Sequence, residues 1–192
     1  MDYHADLHLH STFSDGLLPP REIAARIHAA GLKAFSLTDH DTLAGLDEAR
    51  REAGRLGLEL VPGVELSLSR RGEPLHLLVY GRLEESQEIE AVLRVSSSRN
   101  RRFIRAFCAA LTARGVPAHE DELKSLPTRR AFHALKVLVL STLREGARPV
   151  WKEARLEAGS TLGPRLDVER VLNALRGKGL VTAWAHPMAD PN

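Results

Sequence analysis

Short strand and helix signatures alternate through the first 82 residues, and this rhythm constrains the chain more than any other feature. Residues 3–9 set Ala5, Leu7 and Leu9 on one side and Asp6, His8 and His10 on the other, the period of two that marks a strand. Pro19-Pro20 opens a helix in which Ile23 and Ile27 share a face, and Gly31 closes it. Residues 34–37 read as a short apolar strand. Asp41 or Thr42 is placed to cap a helix over residues 43–56, which stops at Gly57. Residues 58–61, 64–68 and 75–80 read as strands, the last two separated by the turn Arg71-Gly72-Glu73-Pro74. Alternation of this kind predicts an α/β architecture with a mainly parallel sheet or barrel.

The pattern changes after residue 83. Residues 84–145 are helical and strand-poor, with Phe103, Ile104, Phe107 and Leu111 at helical spacing before Gly115-Val116-Pro117. Leu135, Leu138 and Val139 suggest a second buried helix face, and residues 146–164 read as an irregular surface connection. The strand–helix rhythm returns with a helix near residues 167–176 and a strand over 180–185. The predicted organisation is therefore an α/β body in two parts, 1–83 and 166–192, around a mainly helical insertion, 84–165. With 192 residues, 43% of them hydrophobic and 27% charged, the chain is neither disordered nor fibrous. Its longest aliphatic run, Val137-Leu138-Val139-Leu140, is far from the ~20 apolar residues that span a bilayer. The N-terminus lacks a basic segment followed by an apolar one, and the single Cys108 cannot form an internal disulfide, so a cytoplasmic protein is expected.

Nine histidines carry the functional signal, because several fall where a strand should be apolar or has just ended. His8 and His10, two apart on a strand, point the same way and can reach one metal ion. Asp15 follows in a Ser-Asp-Gly turn at the end of that strand, and Asp6 suits a role orienting a ligand. His40 ends the second strand within Thr38-Asp39-His40-Asp41-Thr42; the flanking aspartates suit turn and capping duty, His40 does not. Glu65 lies between Val64 and Leu66, where a carboxylate should not be buried without a partner. His76 is flanked by leucines, and His186 follows the last strand in Ala185-His186-Pro187. The set His8, His10, Asp15, His40, Glu65, His76 and His186 mixes imidazole and carboxylate without thiolate, which suits Mn, Zn or Fe. His4, His28 and His119 read as surface residues, Cys108, Trp151 and Trp184 as packing residues, and the basic run 99–105 as a solvated helix face.

Asp-Leu-His-Leu-His-Ser-Thr-Phe-Ser-Asp-Gly at 6–16, Leu-Thr-Asp-His-Asp-Thr at 37–42, Pro-Gly-Val-Glu at 62–65 and Ala-His-Pro at 185–187 together resemble the PHP (polymerase and histidinol phosphatase) superfamily. Ser98-Arg99-Asn100-Arg101-Arg102 and Arg129-Arg130-Ala131-Phe132-His133 resemble its RNase AM-like phosphoesterase branch. The resemblance implies a distorted (β/α)7-type barrel with a helical insertion, incomplete at the C-terminus, and up to three divalent metals. It assigns His8, His10 and Glu65 to one metal, Glu65, His76 and His186 to a second, and Asp15 and His40 to a third. The family's C-terminal Asp-x-His motif, which adds a ligand to the first and third sites, has no counterpart in this sequence. The implied reaction is hydrolysis of phosphate esters by metal-activated water. Its substrate is a phosphorylated small molecule such as a nucleoside bisphosphate, or a short 5′-phosphorylated RNA or DNA end. Glu65 would hold two ions, and a metal-bound water, Asp15 or His40 could protonate the leaving group. His133 matches a histidine of the family's Gly-Arg-Pro-His segment and, with Arg130, is expected at the substrate phosphate. The alternatives are a histidinol-phosphatase-like monophosphatase and a catalytically inactive metal-binding or scaffold module.

Overall fold

A computed structural model of the chain describes residues 4–124 and 126–186. It is a mixed α/β structure in two compact units, one formed by residues 1–96 and 165–192, the other by 97–164.

In the first unit β1 (Ala5–Leu9), β2 (Ala34–Leu37) and β3 (Glu59–Leu60) form a parallel three-stranded sheet in that order. Helices α1 (Pro20–Ala29) and α2 (Leu46–Leu56) bury Ile23, Ala24, Ile27, Leu46, Ala49 and Ala53 against Phe35 and Leu37 of β2. α1 begins with the proline predicted to open it, where a missing backbone N–H costs nothing. α2 ends at Gly57, whose left-handed backbone returns its N–H to the last carbonyls.

The second sheet departs from the mainly parallel expectation. β4 (Gly63–Arg70), β5 (Glu73–Tyr80) and β6 (Val181–Trp184) are antiparallel. The Arg71-Gly72 turn allows nothing else, because two residues can reverse a chain but cannot carry a crossover. Apolar periodicity is blind to strand direction. Among the described residues neither sheet closes into a barrel, and the sheets meet at a single parallel bridge between His40 and Glu65. Gly63 permits that approach: a Cβ there would stand 2.3 Å from the Ser36 hydroxyl oxygen. Val64, Leu66 and Leu68 face a core shared with Leu75, Leu77 and Val79, with Ile89 and Val92 from the start of α3 (Gln87–Thr112), and with Val168, Val171 and Leu175 of α7 (Val168–Leu175). Asp167 caps α7 through the Glu169 and Arg170 amides.

The other unit packs the rest of α3 with α5 (Thr128–Leu143) and α6 (Ala147–Ser160), while the short α4 (Glu120–Leu123) contributes a partly buried Leu123. Its core holds Phe107, Leu111, Leu135, Val139 and Cys108, with Trp151 edge-on to Phe107 and Phe132.

Several local expectations need correction. Residues 146–164 are not an irregular connection, since α6 fills most of them. Its buried face is built from Ala147, Ala154 and Ala158, too small to register as apolar periodicity, and Pro149 is tolerated because first-turn amides have no helical acceptor. The cap of α2 is Gly45 rather than Asp41 or Thr42. Ala5 and Leu7 are exposed, because β1 is an edge strand and an irregularity in its register between Asp6 and Leu9 disturbs the alternation. Trp184 is 41% exposed, with the Arg70 guanidinium over its ring. Among the described residues no helix is long and apolar enough to cross a membrane.

Candidate metal centre

The pleat answers the question posed by Glu65. Successive residues of β4 face opposite ways, so Val64 and Leu66 enter the core while Glu65 and Ser67 take the other face. On β5, His76 and Leu78 share that face, and Ser67 stands opposite His76. Glu65 is fully buried, and the imidazoles converge on it. Its Oε2 lies 2.9 Å from Nε2 of both His8 and His10 and 3.7 Å from His40 Nε2. Its Oε1 lies 2.9 Å from His76 Nδ1 and 3.7 Å from His186 Nε2.

Asp15 adds a second carboxylate on the far side of His10 and His40. One of its oxygens is 3.5 Å from His10 Nδ1, the other 3.7 Å from His40 Nε2. Three overlapping sets of ligand atoms therefore lie within 4.8 Å of one another: His8–His10–Glu65, His10–Asp15–His40 and His40–Glu65–His76. The seven residues read from the sequence as a ligand set are drawn together. His186 stands at the rim, its side chain 57% exposed and its ring 4.8 Å from that of His8. Pro187 of the Ala-His-Pro motif lies outside the described residues. His133 and Arg130 are exposed on α5 of the other unit.

Two supporting roles differ from expectation. Asp6 accepts a hydrogen bond from the backbone N–H of His8 at 3.2 Å, so it fixes the strand rather than a ring. Asp39 does far more than form a turn. Its buried carboxylate accepts from the Ser11 amide at 2.7 Å, the Ser11 hydroxyl at 2.6 Å and the Ser14 hydroxyl at 2.5 Å. These bonds tie the loop between His10 and Asp15 to the end of β2. Asp41, in the left-handed region at φ 53°, accepts from the Ser67 amide while its own N–H donates to the Glu65 carbonyl. Ser11 and Ser14 were the available sequence signal: two small hydroxyl residues in a ligand-bearing loop need a buried acceptor.

The electrostatics follow from the packing. Burial alone would raise the Glu65 carboxyl, but the imidazoles of His10 and His76 at 2.9 Å, the charge of His40 and the hydrogen bond from His8 outweigh it and hold the group far below its ordinary value. Burial lowers His10, yet the hydrogen bond and charge of Glu65, with Asp15 and Asp39 behind, raise it overall. Tyr80 is raised by burial and by the charges of Glu65 and Asp6, and its hydroxyl donates to the Leu7 carbonyl at 2.9 Å. A buried carboxylate whose ion-pair partners are five histidines, with no lysine or arginine among them in the described residues, is a donor set suited to divalent cations.

The sequence profile of the PHP domain family matches residues 6–136. The chain is 28% identical over 187 residues to a 5′-3′ exoribonuclease of Haemophilus influenzae, covering 95% of this chain and 68% of that protein. It is 42% identical over 76 residues to a 3′,5′-nucleoside bisphosphate phosphatase of Chromobacterium violaceum, covering 40% of this chain and 27% of that one. The solved structure of an amidohydrolase from C. violaceum, with bound sulfate and no metal, superposes with a TM-score of 0.75 at 26% identity, covering 95% of this chain and 66% of that one. A solved structure from Bifidobacterium adolescentis superposes with a TM-score of 0.69 at 24% identity, a likeness of fold. The chain thus spans about two thirds of the length of these relatives where the alignment is longest.

Proposed function

The chain belongs to the PHP domain family of metal-dependent phosphoester hydrolases, and on that premise we propose that it cleaves phosphate esters of nucleotides or of short 5′-phosphorylated oligonucleotides. One observation carries the reading: two carboxylates and five imidazoles from β1, β4, β5 and the ends of β1, β2 and β6 converge around the buried Glu65. The names of the Haemophilus and Chromobacterium relatives support the substrate class.

His8, His10 and Glu65 would hold one divalent cation, Glu65, His76 and His186 a second, and Asp15 and His40 a third, with manganese, zinc or iron suited to these donors. Cations held this way supply Lewis-acid polarisation of the phosphoryl oxygens and a nucleophile at neutral pH. Glu65 would hold two of these cations, because its two oxygens face different groups of histidines. The proton for the leaving oxygen is proposed to come from Asp15, 35% exposed, or from the more enclosed His40, 8% exposed. His133 and Arg130 are the proposed contacts to a substrate phosphate. We read the two open sheets as portions of a distorted (β/α)7-type barrel interrupted by the helical residues, in a cytoplasmic enzyme.

The test is a substrate panel with the metal-loaded protein: adenosine 3′,5′-bisphosphate, a short 5′-phosphorylated RNA and histidinol phosphate. The reading expects the first or second to be turned over fastest. Fastest turnover of histidinol phosphate would reassign the enzyme as a simple monophosphatase. Bound metal with no turnover of any ester would leave a binding module.

A further inference from the structure

His8 stands on the least regular stretch of β1, and the strand ladder does not account for how it is held. In the β1–β2 register Asp6 pairs with Phe35 and Leu9 with Leu37, so Leu7 and His8 together stand against Ser36 alone. A bulge of this kind interrupts the ladder and leaves backbone groups to find other partners. β1 is also the edge of its sheet, and among the described residues no strand pairs with its outer side.

Side chains take over here. The Tyr80 hydroxyl, reaching from the other sheet, donates to the Leu7 carbonyl at 2.9 Å. The Asp6 carboxylate accepts from the His8 N–H at 3.2 Å. That carbonyl and that N–H belong to one peptide group, which is planar. Anchoring both of its ends fixes the plane, and with it the direction in which the His8 side chain leaves the backbone. At the end of that side chain, Nε2 lies 2.9 Å from Glu65 Oε2. Tyr80 can reach β1 because the residue opposite it on β4 is Gly63. A Cβ at Gly63 would stand 3.1 Å from Tyr80 Cδ1, close enough to push the ring aside.

Resting on the metal-centre reading above, we infer that Tyr80 is a positioning residue for the cation held by His8, His10 and Glu65. It acts through the Leu7–His8 peptide, by setting where the His8 imidazole sits against Glu65. Groups that orient metal ligands from outside are worth about 10- to 100-fold in metal affinity. Tyr80 belongs at the lower end of that range, because Asp6 still holds the other end of the peptide.

Tyr80→Phe tests this directly, because it keeps the ring and removes only the donor. Cobalt(II) titration followed by visible absorption should show binding about tenfold weaker than wild type. In a His8→Ala background the same change should have no further effect, since the ligand it positions is gone. A second measurement needs no metal. In EDTA, nitrogen NMR of the histidine rings should show the His8 Nε2 resonance moved by Tyr80→Phe. The His76 Nδ1 resonance, on the other Glu65 oxygen, should stay where it is. Unchanged cobalt affinity would overturn the assignment. So would an equal loss of affinity in the His8→Ala background, which would mark a general effect on the fold. If the wild-type protein binds no cobalt, the metal-centre reading fails, and the His8 resonance then decides whether Tyr80 places that ring.

Discussion

Removing the Asp39 carboxylate should cost more than removing any other single hydrogen-bonding group of the ligand-bearing loop. Three bonds of 2.5 to 2.7 Å end on it, and the donors, Ser11 and Ser14, are fully or nearly fully buried. Hydrogen bonds to a charged group contribute roughly 1.5–3 kcal/mol against about 0.5–1.5 for neutral pairs. In Asp39→Asn the amide oxygen can keep the Ser11 amide and Ser14 hydroxyl, and the Ser11 hydroxyl can turn to accept from the new NH2. All three contacts survive at neutral strength, and the loss is about 2–3 kcal/mol. In Asp39→Ala the Ser11 amide and hydroxyl lose this acceptor, while the Ser14 hydroxyl keeps Asp15 Oδ1 at 3.3 Å; each orphaned buried group costs about 1–3 kcal/mol. The loss should then reach about 3–5 kcal/mol. Urea unfolding followed by circular dichroism gives the global value. Hydrogen exchange over residues 10–18 gives the local one, and should quicken before the rest of the unit. The metal-free and metal-loaded proteins should both be measured, since bound cations restrain the same loop. An Asp39→Ala protein within 1 kcal/mol of wild type, with unchanged loop exchange, would refute the reasoning.

Four further outcomes are expected. Glu65→Gln should fold, and in the metal-loaded state should lose about a thousandfold in turnover, about 4 kcal/mol of transition-state stabilisation; retained turnover would remove Glu65 from its shared role. Gly16→Ala should destabilise by about 3 kcal/mol, the upper end of overpacking, because its Cβ would stand 1.9 Å from the His10 carbonyl oxygen; an unshifted melting temperature would show that the loop yields freely. In EDTA, stability should peak between about pH 4.5 and 6.5. The lowered Glu65 contributes above 4.5, and its share is lost as pH falls through its folded value. The raised His10 contributes below 6.5, and its share is lost as pH rises through its own folded value, so a melting temperature climbing steadily to pH 8 would contradict the pairing. Burial, aided by the charge of Glu120, pushes the Cys108 thiol up to about 11, so at pH 8 roughly one molecule in a thousand carries the thiolate; iodoacetamide should label the native protein far more slowly than the urea-unfolded one.

The centre was legible because its residues are chemically out of place. A glutamate inside Val64-Glu65-Leu66 and a histidine inside Leu75-His76-Leu77 are costly to bury, so their positions carry information that a surface residue's do not. β2 was legible as a short apolar run between helix signals, and α1 by the Pro19-Pro20 pair at its start. What escaped notice depends on contacts between distant residues. Asp39 is indistinguishable from a turn aspartate until Ser11 and Ser14 are seen folded against it, 28 and 25 positions away. Asp41 resembles a cap until Ser67 is seen donating to it. Strand direction in β4–β6 is set by connections, not by side-chain period, and α6 hid because alanines form its buried face.

The pairing of β5 with β6 has a consequence for how the chain is made. β5 is shielded on one edge by β4, its immediate neighbour in sequence, and on the other by Val181–Trp184, which emerge only after residues 97–164 have been synthesised. Until then the backbone of Leu77 to Tyr80 presents unpaired donors and acceptors beside an apolar face, a template for pairing with another chain. The helical residues between β5 and β6 therefore act as a delay line. During translation, the length of that segment sets the least time a nascent chain spends with this edge open.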